Sequence, residues 1–188
     1  FYVAITDAQT GRGRMIDVKN LEDPLSGVLA SMNIPGINGG KQFLIDGRIS
    51  VDGGFAYPLP IKWTLNHLNP TDVLVLLTEP IHDMTLRNYT IGYIAGLFAK
   101  NKAITDSLKS TSYRYREELG FVTGKLSAKD DDGNPVRIAA IHPKESPLRL
   151  HTMNRSLLEQ GTEAARTFTA DLFSKEKQNL TKSQKLVA

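Results

Sequence analysis

The chain has 188 residues, 40% of them hydrophobic, and no cysteine; this suits one folded domain with a real core and excludes disulfides, thiolate metal sites and cysteine nucleophiles. Its formal charge of +3 belongs to the end of the chain, where Lys175, Lys177, Lys182 and Lys185 stand against Glu176, so residues 1–173 are formally neutral and no nucleic-acid partner is expected of the body. No uninterrupted apolar run approaches the roughly 18–20 residues that span a bilayer.

Residues 1–6 (FYVAIT) read as a buried strand ending at Asp7, with no charged stretch before it of the kind that opens a signal peptide. A chain that begins with Phe1 inside a core strand is expected to be a fragment of a longer one. Residues 10–13 (TGRG) carry turn chemistry. Asp23 and Pro24 predict a helix from Leu25 to about Met32, with Asp23 as its cap and Pro24 in its first position. Residues 35–40 (PGINGG) break the chain. Residues 43–45 and 49–51 predict a hairpin turning at Asp46-Gly47. Pro58-Leu59-Pro60 leads into a helix from Ile61 to Leu68, stopped by Asn69-Pro70.

Asp72 followed by five apolar residues has the pattern of a fully buried parallel strand. Strand, helix and strand in this order predict a βαβ unit. Residues 89–118 read as one or two helices, with Tyr93, Leu97, Phe98, Ile104 and Leu108 as the apolar positions and Gly120 as a terminator. Residues 130–134 (DDDGN) read as a polar loop and residues 136–141 as a further buried strand. A helix follows from Ser156 to Phe173, with Leu157, Leu158, Ala164, Ala165, Phe168 and Leu172 as its stripe. Residues 174–188 are expected to form a basic, frayed tail. The fold class expected from these elements is α/β.

The segment with most chemical content is residues 51–60 (VDGGFAYPLP). Asp52 stands at the C-terminal end of a strand, where open α/β sheets place their ligands, and two glycines follow it. Such a carboxylate serves as a general base when a partner lies within hydrogen-bond reach. Equally, it serves as the cap of a tight turn, bonded to the next backbone amides; the residues alone leave both roles open. His67, His82, His142 and His151 never fall at metal-ligand spacing on a helix, so no zinc site is expected, and His142 beside Pro143 reads as structural. The Asp130–Asn134 run lacks the far ligand of an EF-hand and reads as a solvated turn. Ser31 reads as a packing or capping residue.

Taken with its surroundings, this segment resembles the patatin-like phospholipases, bacterial cytoplasmic-type members in particular. Asp52-Gly53-Gly54 is followed by Pro58-Leu59-Pro60, the helix with Trp63, and the strand Val73–Leu77 with Thr78. Upstream, Ala4-Ile5-Thr6-Asp7 with Thr10-Gly11 resembles that family's strand and T-D-x-x-T-G turn, and residues 30–35 (ASMNIP) its A-S-x-x-x-P segment. Downstream, Tyr113-Arg114-Tyr115-Arg116 lies where the family often has Arg and Tyr on a helix, and Ile141-His142-Pro143 with Leu148-Arg149-Leu150 resembles its last strand and loop.

The resemblance covers residues 1–173. It implies the C-terminal portion of a three-layer fold with a mostly parallel sheet and flanking helices, and a serine lipid acyl hydrolase (phospholipase or esterase) using a Ser–Asp dyad. Asp52 would be the catalytic base, Gly53 and Gly54 its supporting turn, and an acyl-ester lipid the substrate. The dyad needs no metal or cofactor, and the location implied is cytoplasmic. Tyr57 departs from the Asp or Asn that related sequences often carry there.

The other half of the dyad is not encoded here. Glycines at the spacing of a G-x-S-x-G elbow occur at 36/40, 92/96 and 120/124, around Asn38, Ile94 and Val122, and a base without its nucleophile cannot run covalent acyl transfer. No Gly-Gly-Gly oxyanion loop occurs either. The fragment alone is therefore expected to be inactive. The alternative is a non-catalytic α/β module whose helical surface, residues 89–118, binds a partner protein or a membrane surface. Peripheral membrane contact would draw on the lysines of residues 174–188 and the apolar helix around Tyr93–Phe98; the competing readings of these are a solvated terminus and a core helix.

Overall fold

The computed structural model describes residues 1–34, 41–81, 101–143 and 154–185. Several expectations therefore lie outside the described residues: the break at residues 35–40, the apolar helix with Tyr93, Leu97 and Phe98, His82, His151, and the Leu148-Arg149-Leu150 loop. Two compact units are present, one comprising residues 1–76 and 81–141, the other residues 77–80 and 142–188.

In the first unit the elements are β1 (Tyr2–Asp7), β2 (Gly13–Asp17), α1 (Pro24–Ser31), β3 (Phe43–Ile45), β4 (Arg48–Asp52), α2 (Ile61–Leu68), β5 (Asp72–Leu76), α3 (Lys102–Val122) and β6 (Arg137–Ile141), with 3-10 turns at Val18–Asn20 and Gly53–Phe55. α1 begins as its residues dictate: Pro24 occupies the first turn and Asp23 Oδ1 accepts the Leu25 N–H at 3.0 Å. The β3–β4 hairpin turns on Asp46 and Gly47, with φ of 50° and 71°. Positive φ at both central residues is what matches a two-residue loop to strand twist. α2 spans Ile61–Leu68 as predicted and stops at Asn69 in the left-handed conformation.

Four strands form one sheet in the order β2-β1-β4-β3, and every pairing in it is antiparallel. The mixed α/β class is as expected; the mostly parallel pairing is not seen in this sheet. Nor do β4, α2 and β5 make a βαβ unit. β1 and β3 already occupy both sides of β4, so no edge is left there for β5. Instead β5 pairs in parallel with β6, from Asp72↔Arg137 to Leu76↔Ile141, and the chain between them contains α3. The first pair of that register is held by an exposed fork, Arg137 Nε to Asp72 Oδ1 at 2.5 Å and Arg137 Nη2 to Oδ2 at 2.8 Å. Neither strand is fully buried: in β5, Leu74 and Leu76 are 58% and 69% exposed.

Neighbouring strand residues point to opposite faces, and both faces of the four-stranded sheet carry a helix. Ile5, Phe43 and Ile45 pack with Ala30 of α1. Val51 and Phe55 pack with Ile104 and Leu108 of α3. β2 has no clear apolar alternation in the sequence; its residues are all half-buried. α3 runs through Gly120 to Val122, with the Thr123 N–H bonded to Leu119 O at 2.9 Å. In the second unit α4 spans Arg155–Lys185, so the helix continues through the segment expected to fray. Its Leu157, Leu158 and Phe173 are exposed.

Glu118 shows how the helices lock together. Pro60 supplies no side-chain cap for α2; the carboxylate of Glu118, reaching from α3, accepts the Lys62 N–H at 2.9 Å. Burial raises the Glu118 carboxyl above the ordinary glutamate range, against the opposing pull of the Lys62 and Ile61 amides and the Lys62 ammonium. The folded protein thus holds this proton more tightly than the unfolded chain. Its stabilising contribution is full below the ordinary glutamate value and is lost as pH rises through the raised folded value. Glu118→Ala, which also orphans an amide, is expected to cost about 1–2 kcal/mol. Glu118→Gln, which keeps an acceptor without the charge, should match the parent in acid, where Glu118 is protonated, and exceed its stability at pH 8. Urea unfolding followed by Trp63, the chain's single tryptophan, checks both.

Candidate functional site

Asp52 ends β4 half-buried, and the main chain around it is fastened on three sides. Its N–H donates to Asn33 O at 2.8 Å, its carbonyl accepts the Thr6 hydroxyl at 2.8 Å, and it pairs with Ile5 across the β1–β4 ladder. Its side chain caps the turn that follows, with the Gly54 N–H donating to Oδ1 at 2.7 Å. Of the two roles left open for Asp52, the structure displays the turn-capping one directly. A charged acceptor on a backbone amide also fixes where the carboxylate sits.

The two glycines do different work. A Cβ on Gly53 would lie 2.1 Å from the carbonyl oxygen of Ala4, so the turn can lie against β1 only with a bare Cα there. Among the described residues, a Cβ on Gly54 would meet only Asp52 Oδ1, at 2.9 Å. Phe55 closes the turn and is buried with Val51, Ile104 and Leu108. Its carbonyl is the acceptor for three donors from α3: the Ser107 hydroxyl at 3.2 Å, the Thr111 hydroxyl at 2.6 Å and Arg114 Nη2 at 2.7 Å.

Arg114 also reaches Ser107 O at 2.7 Å and Ser107 Oγ at 3.1 Å. Burial holds its guanidinium below the usual arginine value, and the nearby Tyr57 hydroxyl pulls the other way. Tyr57 itself lies over Gly13, where a Cβ would strike its ring at 2.4 Å.

The T-D-x-x-T-G segment is a turn built by Asp7. Oδ1 of Asp7 accepts the N–H groups of Gln9 and Thr10 at 2.8 and 2.9 Å, and Arg48 lies 3.5 Å from Oδ2. Burial pushes the Asp7 carboxyl up, but the Thr10 and Gln9 amides, the Thr10 hydroxyl and Arg48 together bring it below the usual range. Gly11 packs this turn against Ala103 of α3. A shallow depression there is lined by Ala8, Gln9, Asn101, Lys102, Ala103 and Asp106, and Asp52 is not part of its lining.

The weaker candidates resolve as structural. Ser31 Oγ donates to Val28 O at 2.8 Å. His67 Nδ1 donates to Trp63 O at 2.9 Å and its ring stacks on Trp63 at 4.7 Å. His142 Nδ1 donates to Pro143 O at 2.9 Å. Asp130 Oδ1 accepts the N–H groups of Asp132 and Asn134, closing an exposed turn. Among the described residues no three His, Asp or Glu side chains gather as a metal site, and no helix is long and apolar enough to cross a membrane. The sequence reading placed Arg114 beside the tyrosines of α3 but missed its contact with the Asp-Gly-Gly turn. The available signal was the spacing of Ser107, Thr111 and Arg114, which shares one helix face. Comparison with protein-family models, curated proteins and solved structures gives no match for this chain.

Proposed function

We propose that this chain carries the general base of a patatin-like serine acyl-ester hydrolase, with Asp52 as that base and an acyl-ester lipid as substrate. The observation that carries the reading is the placement of Asp52: a half-buried carboxylate at a strand end, aimed by the Gly54 amide on a turn that lies flush against β1. The order of sequence motifs over residues 1–173 supports it. The nucleophilic serine and the oxyanion donors would come from outside these 188 residues. In the intact enzyme Asp52 takes the proton from that serine as it attacks the ester carbonyl, and returns it to the leaving alkoxide. The finer fold proposed with it is the patatin-like three-layer one, in which the helix-covered sheet described here would be one part. Cytoplasmic placement is part of the same proposal. The test is turnover of a chromogenic ester by the intact protein and by its Asp52→Ala and Asp52→Asn variants.

A second reading, a non-catalytic α/β module for a partner or a membrane surface, draws on Leu74 and Leu76, which lie on one face of β5 and are both more than half exposed. It expects the Leu74→Ser/Leu76→Ser double variant to lose flotation on anionic vesicles. Equal flotation of parent and variant removes the membrane form of this reading.

A further inference from the structure

The geometry points to Arg114 as a positioning residue that sets the Asp52 carboxylate by clamping the far end of its turn; this rests on the reading of Asp52 as a general base. The Gly53–Phe55 turn is three residues long, and Asp52 caps it from within. The Ala56 and Tyr57 N–H groups close it on Gly53 O at 3.1 and 2.8 Å, and α3 adds a hold from outside. Ser107, Thr111 and Arg114, spaced four and three apart on one helix face, all converge on Phe55 O. A carbonyl has two lone pairs, so three donors, one of them charged, exceed what a simple turn requires.

Arg114 is also an expensive choice. Its guanidinium is half-buried, its Nε makes no hydrogen bond, and no carboxylate pairs with it among the described residues. A partly desolvated cation held by carbonyl and hydroxyl oxygens is a poor device for stability alone. It is a good device for pinning one carbonyl, because the planar fork holds its donors in fixed directions. The Phe55 carbonyl shares its peptide plane with the Ala56 N–H, which donates to Gly53 O at 3.1 Å, and Gly53 O shares its plane with the Gly54 N–H that holds the Asp52 oxygen, so pinning the carbonyl steadies that amide.

The experiment uses the intact protein with Arg114→Gln and Arg114→Lys. Hydrogen exchange at the Gly54 amide and the carbon-13 titration of the Asp52 carboxyl are followed alongside ester hydrolysis. In Arg114→Gln the Gly54 amide should exchange about tenfold faster, and Asp52 should titrate at higher pH, since a loosened amide favours the charged form less. Misplacing the base should lower kcat by about 10²-fold while KM moves far less, with Arg114→Lys recovering part of each effect. Gly54 exchange and Asp52 titration that match the parent in a folded Arg114→Gln protein would overturn the proposal. If that variant fails to fold, Thr111→Val, which removes another donor to the same carbonyl, must speed Gly54 exchange or the proposal falls. An intact parent without ester turnover defeats the hydrolase reading instead, and the exchange at Gly54 still decides the clamp.

Discussion

Asp52→Ala in the intact protein is expected to lower ester hydrolysis by about 10⁴-fold, the upper end of what one general base contributes, while the fold survives. The side chain caps the Gly54 amide, a contact worth about 1 kcal/mol. The backbone at this point is anchored separately, by Thr6, by Asn33 and by the β1 ladder. Asp52→Asn sharpens the test. An asparagine oxygen still accepts the Gly54 N–H, so stability should stay within about 0.5 kcal/mol of the parent; the amide cannot take a serine proton, so activity should fall as far as in the alanine variant. An active Asp52→Asn enzyme would show that Asp52 only caps its turn.

Gly53→Ala is expected to be the most damaging single methyl group in this region. The new Cβ would sit 2.1 Å from Ala4 O, 2.4 Å from Ala4 C and 2.6 Å from Ala4 Cβ. Backbone is the obstacle, so no rotamer change relieves it. Forcing the turn off β1 should cost about 3 kcal/mol and lower Tm by roughly 10 °C. Gly54→Ala should behave differently, because among the described residues its Cβ meets only the Asp52 carboxylate. Stability should then change by about 1 kcal/mol or less, and the damage should fall on hydrolysis. Thermal unfolding of the two variants measured together separates the glycine that seats the turn from the glycine that faces the carboxylate. Equal losses of Tm would contradict this division.

Local chemistry was legible in the residues themselves. The Asp23 cap with Pro24, the Asp46-Gly47 hairpin, the span of α2, the capping Ser31 and the solvated Asp130 turn each depend on a few neighbouring residues, and the energies involved act within one turn of chain. The candidate site was legible to the same extent. Asp52 and its glycines announced a tight turn at a strand end, and the order of motifs supplied the chemical hypothesis.

Strand partnership was another matter. The hairpin turn marks β3 as one neighbour of β4, but nothing marks β1 as the other, and β5 carries no mark that its partner lies beyond α3 at β6. The apolar run after Asp72 predicted a strand buried on both faces, yet burial belongs to what packs on a strand rather than to its own residues, and Leu74 and Leu76 stand exposed. The contacts that hold the site are equally distant in sequence: Arg114 meets Phe55 across 59 positions and Glu118 meets Lys62 across 56. By itself, then, the sequence determined caps, turns, helix spans and the identity of one strategic carboxylate. Only the tertiary structure decided which strands pair beyond that hairpin, which glycine is sterically obligatory and which arginine reaches the turn, because closing long loops trades chain entropy for packing that no local pattern encodes.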